Sequence, residues 1–111
     1  MIVLKVPFKK RFYFREKPIE FLFNIGTMEA ATKRLKVDLF EINKVESFDL
    51  MLAVLYEGYR SAQKEKRKQD KYSFNHAVVW MEYMSSTEKT KLVAAMQDMM
   101  GAFTEKKRRS K

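Results

Sequence analysis

The sequence predicts an α+β fold that is mainly α: a short N-terminal antiparallel β-hairpin packed on a cluster of four to five helices. Three observations point there. Period-two alternation rich in aromatics is confined to residues 2–25, and that is strand patterning. Apolar residues recur at three- and four-residue spacing from residue 28 onward, and that is helix patterning. Polar residues able to cap helices stand just before the apolar runs. The 111 residues suit one domain, and 46% hydrophobic with 14% aromatic residues is enough to build a core. The expected domain covers 1–104, with a β segment over 1–25 and a helical part over 27–104. Residues 105–111 are expected to be a disordered basic tail.

Taken in order, residues 2–6 form a short apolar strand. Residues 11–15 and 19–23 flank Glu16-Lys17-Pro18, and proline suits a turn, so the hairpin is expected to reverse there. Phe12 and Phe14 alternate with Arg11, Tyr13 and Arg15, while Ile19, Phe21 and Phe23 alternate with Glu20 and Leu22. Two strands alone are marginal, so one face must lie on helices. Gly26-Thr27 ends the strand, and Thr27 is expected to cap a helix over 28–36. Met28, Ala31 and Leu35 share its inner face, with Lys33, Arg34 and Lys36 near the C-terminal end that favours cations. Asp38 and Glu41 read as an acidic capping box. That restart swings Leu39, Phe40 and Ile42 onto the core from a new direction.

Ser47 is expected to cap the next helix. Phe48, Met51, Leu52, Leu55, Tyr59 and Ala62 form its stripe, widened by Leu50, Val54 and Tyr56, with Asp49, Glu57, Arg60 and Lys64 on the opposite side. A helix apolar over most of its girth belongs at the centre. Gly58 inside it costs about 1 kcal/mol relative to alanine, which a close helix crossing would explain. Residues 63–71 are a charged connector. Ser73 caps a helix over 74–84, and Phe74, Ala77, Val78, Met81 and Met84 share a face. Ser85 and Glu88 make a capping box for a last helix that runs to about Phe103, with Leu92, Met96, Met99, Met100 and Phe103 as its stripe.

The chain has no cysteine, so disulfides, thiolate metal sites and cysteine nucleophiles are excluded. No stretch reaches the ~20 apolar residues of a membrane span, and a cytoplasmic location is expected. The single histidine, His76, opens a helix and has a capping or surface role rather than a ligand's. Asp38 and Glu41 are better caps than an acid–base pair. Gly26, Gly58 and Gly101 are too far apart for a phosphate-binding loop. The chain is therefore expected not to be an enzyme, and no cofactor or metal is implied.

Three binding surfaces remain. Five of the eight methionines, Met81, Met84, Met96, Met99 and Met100, fall in the last two helices. Flexible methionine suits surfaces that accept varied apolar partners, although helical spacing also predicts burial. Net charge is +9, and its placement is uneven. Residues 1–36 carry nine basic and three acidic groups, and 105–111 carry five and one. Lys9, Lys10, Arg11 and Arg15, interleaved with Phe12, Tyr13 and Phe14, can hold phosphates and stack bases. The same alternation also serves a buried strand face. The tail residues Lys106, Lys107, Arg108 and Arg109 can contact a polyanion through counterion release.

The order of parts carries a resemblance. A β segment leads into Phe23-Asn24-Ile25-Gly26-Thr27-Met28-Glu29, then a helix with Leu35 and the abrupt Val37-Asp38-Leu39-Phe40. An apolar helix ends in Leu55-Tyr56-Glu57-Gly58-Tyr59, and after a polar gap come Val78-Val79-Trp80-Met81 and a closing helix. Over residues 12–103 this resembles the tail assembly chaperones of long-tailed bacteriophages and prophages. The resemblance implies a non-enzymatic protein of the bacterial host cytoplasm, absent from the mature virion. Its partners would be the tape-measure protein, which it keeps soluble, and the tail-tube protein, which it helps recruit. Family members often exist in a short and a frameshift-extended form; the resemblance implies that this chain would be the short one and that an extended form of itself would be a further partner. Membranes and nucleic acid are not among the implied partners. Large side chains on the outer side of the last two helices, Trp80, Tyr83, Met84 and Met100, are the expected partner-binding residues. The rival readings are a small basic nucleic-acid-binding regulator and a structural tail or head-completion subunit.

Overall fold

The computed structural model of the protein describes residues 1–37 and 47–109, with side chains as far as Gly101. Its described elements are two strands, β1 (Ile2–Lys10) and β2 (Tyr13–Phe21), followed by four helices: α1 (Ile25–Leu35), α2 (Ser47–Glu65), α3 (Phe74–Tyr83) and α4 (Ser86–Arg109). The fold is α+β and mainly α, with an antiparallel hairpin at its N-terminal end.

The hairpin reverses at Arg11-Phe12, not at Glu16-Lys17-Pro18. Its register runs from Ile2 opposite Phe21 to Lys10 opposite Tyr13. Arg11 takes the left-handed backbone, φ 51°, that so short a reversal requires. Both prolines lie inside strands, Pro18 opposite Lys5 and Pro7 opposite Glu16. The register tolerates them for a definite reason. The Lys5 N–H points out of the sheet to the Glu88 carboxylate, 2.8 Å away, so the Lys5–Pro18 pair exchanges no ladder bonds. Pro7–Glu16, two residues along, is a pair of the same kind, and neither proline is asked for a missing donor. In this register Leu4, Val6, Phe8, Ile19 and Phe21 share the face that meets the helices.

Helix α1 begins three residues earlier than expected. Asn24 is the N-cap, its Oδ1 accepting from the Thr27 N–H at 2.9 Å. Thr27 is instead fully buried, and its hydroxyl donates to the Leu22 carbonyl at 2.7 Å. The helix stops where Lys36 turns left-handed, φ 57°, and Val37 N–H reaches back to the Thr32 carbonyl. Helix α2 stops in the same way at Arg67, φ 58°, with Lys68 N–H on the Gln63 carbonyl. Both are Schellman endings with a cation where glycine is usual. The expected Asp38–Glu41 restart, with Leu39, Phe40 and Ile42, lies outside the described residues.

Helix α2 is the centre of the molecule: every residue from Leu52 to Tyr59 is buried. That includes Glu57, expected on the polar side. Its side chain is 5% exposed and bonds the Arg34 Nε at 2.9 Å and the Arg60 Nη1 at 3.3 Å. The Arg34 guanidinium also lies 4.8 Å over the Tyr56 ring and 4.9 Å over the Phe74 ring. Gly58 answers to the chain after β2 rather than to a helix crossing. A Cβ there would stand 2.3 Å from the Phe23 ring, and the Gly58 carbonyl accepts from the Leu22 N–H at 3.0 Å. Phe48 is 47% exposed, so it leaves the expected stripe.

Ser73 is the N-cap of α3, and His76 has the capping role: its Nδ1 accepts from the Ser73 N–H at 3.1 Å. The connector is pinned by α2, since the Tyr59 hydroxyl accepts from the Lys71 and Tyr72 N–H groups and the Tyr56 hydroxyl donates to the Tyr72 carbonyl. Trp80 is completely buried at the junction of hairpin and helices. Its ring meets Phe8, Phe21, Tyr59 and Tyr72 edge-on at 5.6–5.9 Å, the geometry aromatic quadrupoles favour. Ser85 accepts from the Glu88 N–H, but the Glu88 carboxylate serves Lys5 and Lys91 rather than closing the box. Leu92, Met96 and Met99 are buried as expected. The backbone of α4 continues to Arg109, past the expected end near Phe103 and through most of the expected tail. The side chains of Phe103 and of Lys106 to Arg109 lie outside the described set.

Candidate partner-binding surfaces

The expected partner-binding set does not form one surface. Trp80 is 0% exposed and Met84 is 4% exposed, so both belong to the core. Trp80 Nε1 is buried and finds no hydrogen-bond partner among the described side chains. Tyr83 is open to solvent, and stacks on Phe14 of β2 with centroids 4.4 Å apart. Met100 is half-buried on a different side, in a small groove of about 360 Å³ with Leu50, Met51, Val93 and Met96. Trp80 and Tyr83 stand one turn apart on α3 as the spacing predicts, whereas Met84, expected inside that helix, is its extended C-cap. What spacing cannot show is that the hairpin root lies over part of that face.

A larger groove, about 670 Å³, opens between α4 and the place where the hairpin root passes into α1. Its apolar walls come from Ile2, Leu22, Phe23 and Ile25 on one side and from Ala94, Ala95 and Met99 on the other. Ala94 and Ala95 keep that side of α4 low, which lets another backbone approach closely. Lys91 and Asp98 stand on its rim, about two helical turns apart. Periodicity along the chain gives no sign of this groove. Its walls come from three elements, and the alanines carry no signal of their own.

The basic and aromatic residues of the hairpin do gather. Residues 9–18 are all exposed. Phe12 is 100% exposed at the reversal, Tyr13 is 52% exposed and Phe14 40%, so these aromatics are not the buried face of the sheet. Lys10, Tyr13, Arg15 and Lys17 share one face of the hairpin. The Arg15 guanidinium lies 5.7 Å over the Tyr13 ring and Lys17 Nζ lies 5.4 Å over Phe8. Lys9 faces the other way and Arg11 sits in the turn. Lys17 joins this group only because the reversal is at Arg11-Phe12.

Among the described residues, no cluster of three or more histidine, aspartate or glutamate side chains could hold a metal ion, and no helix is long and apolar enough to cross a membrane. Glu88 is the perturbed carboxylate near the hairpin. Burial opposes its ionisation, but the Lys5 N–H and the Lys91 ammonium outweigh burial and hold the carboxyl below its usual range. Burial, reinforced by Asp70, raises the Tyr56 phenol. Both groups sit in structural contacts. The chain matches no known protein family, no curated protein and no solved structure.

Proposed function

We propose that this chain is a tail assembly chaperone of a long-tailed bacteriophage or prophage. It binds apolar helical segments of the tape-measure protein in the host cytoplasm and gives them up as tail-tube subunits arrive, leaving no copy in the virion. The observation that carries the reading is the α4 groove. A tape-measure helix with an apolar stripe aggregates when exposed, and an apolar groove can cover such a stripe by helix-in-groove contact. Ala94 and Ala95 permit the close approach, and Met99 supplies an adaptable wall. The working residues are then Phe23, Ile25, Ala94, Ala95 and Met99 rather than Trp80 and Met84.

Co-expression with the tape-measure protein encoded in the same gene cluster tests this. The wild-type chain is expected to keep the tape measure in the soluble fraction. The Ala94→Arg variant, altered at an exposed position, is expected to lose that activity while keeping its far-UV circular dichroism. Undiminished protection by the variant rejects the groove. Recovery of the chain as a stoichiometric part of purified virions rejects the chaperone reading in favour of a structural tail or head-completion subunit.

A further inference from the structure

The distal hairpin has its own chemistry, independent of the α4 groove. We propose that it holds single-stranded nucleic acid, with Phe12 and Tyr13 as stacking platforms and Lys10, Arg11, Arg15 and Lys17 as phosphate contacts. Three features carry this. First, Phe12 is a fully exposed aromatic at the outermost point of a hairpin, where nothing in the fold requires an apolar side chain. Second, the charge is one-sided: residues 9–17 hold five cations, from Lys9 to Lys17, against Glu16 alone. Third, the cations are spaced and steadied. Arg15 and Lys17 are alternate residues on one strand face, about 6.6 Å apart, close to the reach between neighbouring phosphates of an extended strand. The Tyr13 and Phe8 rings lie under their charged groups, which limits the ordering cost on binding.

A single strand suits this surface better than an acidic protein or a duplex. Lysine is depleted at protein interfaces, whereas lysine, arginine and exposed rings together are what single-strand binding uses. A base stacks on Phe12 only if its face is free, and in a duplex it is not.

The experiment is fluorescence anisotropy of the full chain with labelled 12-nucleotide oligo-dT and oligo-U, and with a 12-base-pair duplex. Both single strands are expected to bind, and to bind more tightly than the duplex. With four phosphates contacted, affinity is expected to fall about 50-fold between 50 and 200 mM salt. Phe12→Ser keeps the net charge and alters a side chain that touches no core residue. It is expected to weaken binding roughly 5- to 150-fold, the range for loss of one stacked base. Ala94→Arg is expected to leave oligonucleotide affinity within a few-fold of wild type, which separates this surface from the groove. Absence of binding at 50 mM salt overturns the proposal. So does equal affinity of wild type and Phe12→Ser, which would reduce the effect to bulk charge. Binding of a poly-glutamate peptide as tight as that of the oligonucleotides overturns it in favour of an acidic protein partner.

Discussion

The two ends of the hairpin share one backbone ladder and one pleat, yet they differ in everything outside the ladder. At the root, Leu4, Val6 and Phe21 are fully buried. The outer edge of β1 is closed by the Glu88 carboxylate on Lys5, and the chain leaving β2 is tied to the Gly58 carbonyl through Leu22. At the tip, residues 9–18 are exposed, and the same inward face now presents Lys10, Tyr13, Arg15 and Lys17. The change occurs within a single pair, Val6 opposite Lys17, one buried and the other in solvent. A two-stranded ribbon is too weak to explain the order of either end by itself. The root is held by α2, α3 and α4, and the tip is carried by the root and by the stack of Phe14 on Tyr83 at the end of α3. Stability and surface chemistry are therefore separated along one element. Residues near the helices are constrained by packing, and residues near the reversal are left for contact.

The strongest way to break this division is to remove the ring on which the root rests. Trp80→Ala deletes the contact shared by Phe8, Phe21, Tyr59 and Tyr72, and is expected to cost about 3–5 kcal/mol, the range for large aromatics removed from cores. Urea denaturation measures it, and a loss below 1 kcal/mol would show that the root does not depend on Trp80. Glu88→Gln comes next, at about 1.5–3 kcal/mol for a buried, charge-assisted hydrogen bond. Its pH dependence has a definite sign. The Glu88 carboxyl is held below its ordinary value in the folded chain. Its stabilisation is therefore complete above the unfolded glutamate value of about 4.3 and is lost as pH falls through the folded one. The gap between wild type and variant should be full at pH 7 and close in acid, and a gap independent of pH would remove the Lys5–Glu88 bond as its source. The smallest effect belongs to the tip: Phe12→Ser is expected to change stability by less than about 0.5 kcal/mol, the usual range for exposed positions. A larger loss in thermal melts would mean that Phe12 is part of the packed structure.

The class of fold, the four described helices and most of their inner stripes were legible in the sequence. The caps at Ser73 and Ser85 were as well. These features rest on periodicity and on side chains that bond their own backbone a few residues away, and both are local. The reversal of the hairpin is not legible in the sequence, because Glu16-Lys17-Pro18 is a good turn by composition. Only the outward Lys5 N–H, taken up by Glu88 eighty-three residues later, reveals a register that accommodates both prolines. The burial of Glu57 is hidden from the sequence for a related reason. α2 is surrounded, so even its charged position lies inside, and its partner Arg34 comes from another helix.

What the sequence determined by itself was which residues share a face, because a helix repeats every 3.6 residues and a strand every two. What only the tertiary structure decided was which of those faces are covered. Trp80 and Phe12 are both large aromatics in segments whose sequence reads as amphipathic. One became the buried hub and the other a bare tip, because the helices reach the root of the hairpin and stop short of its end. Burial is set by the neighbours a side chain acquires, and those neighbours lie too far along the chain for a local pattern to specify.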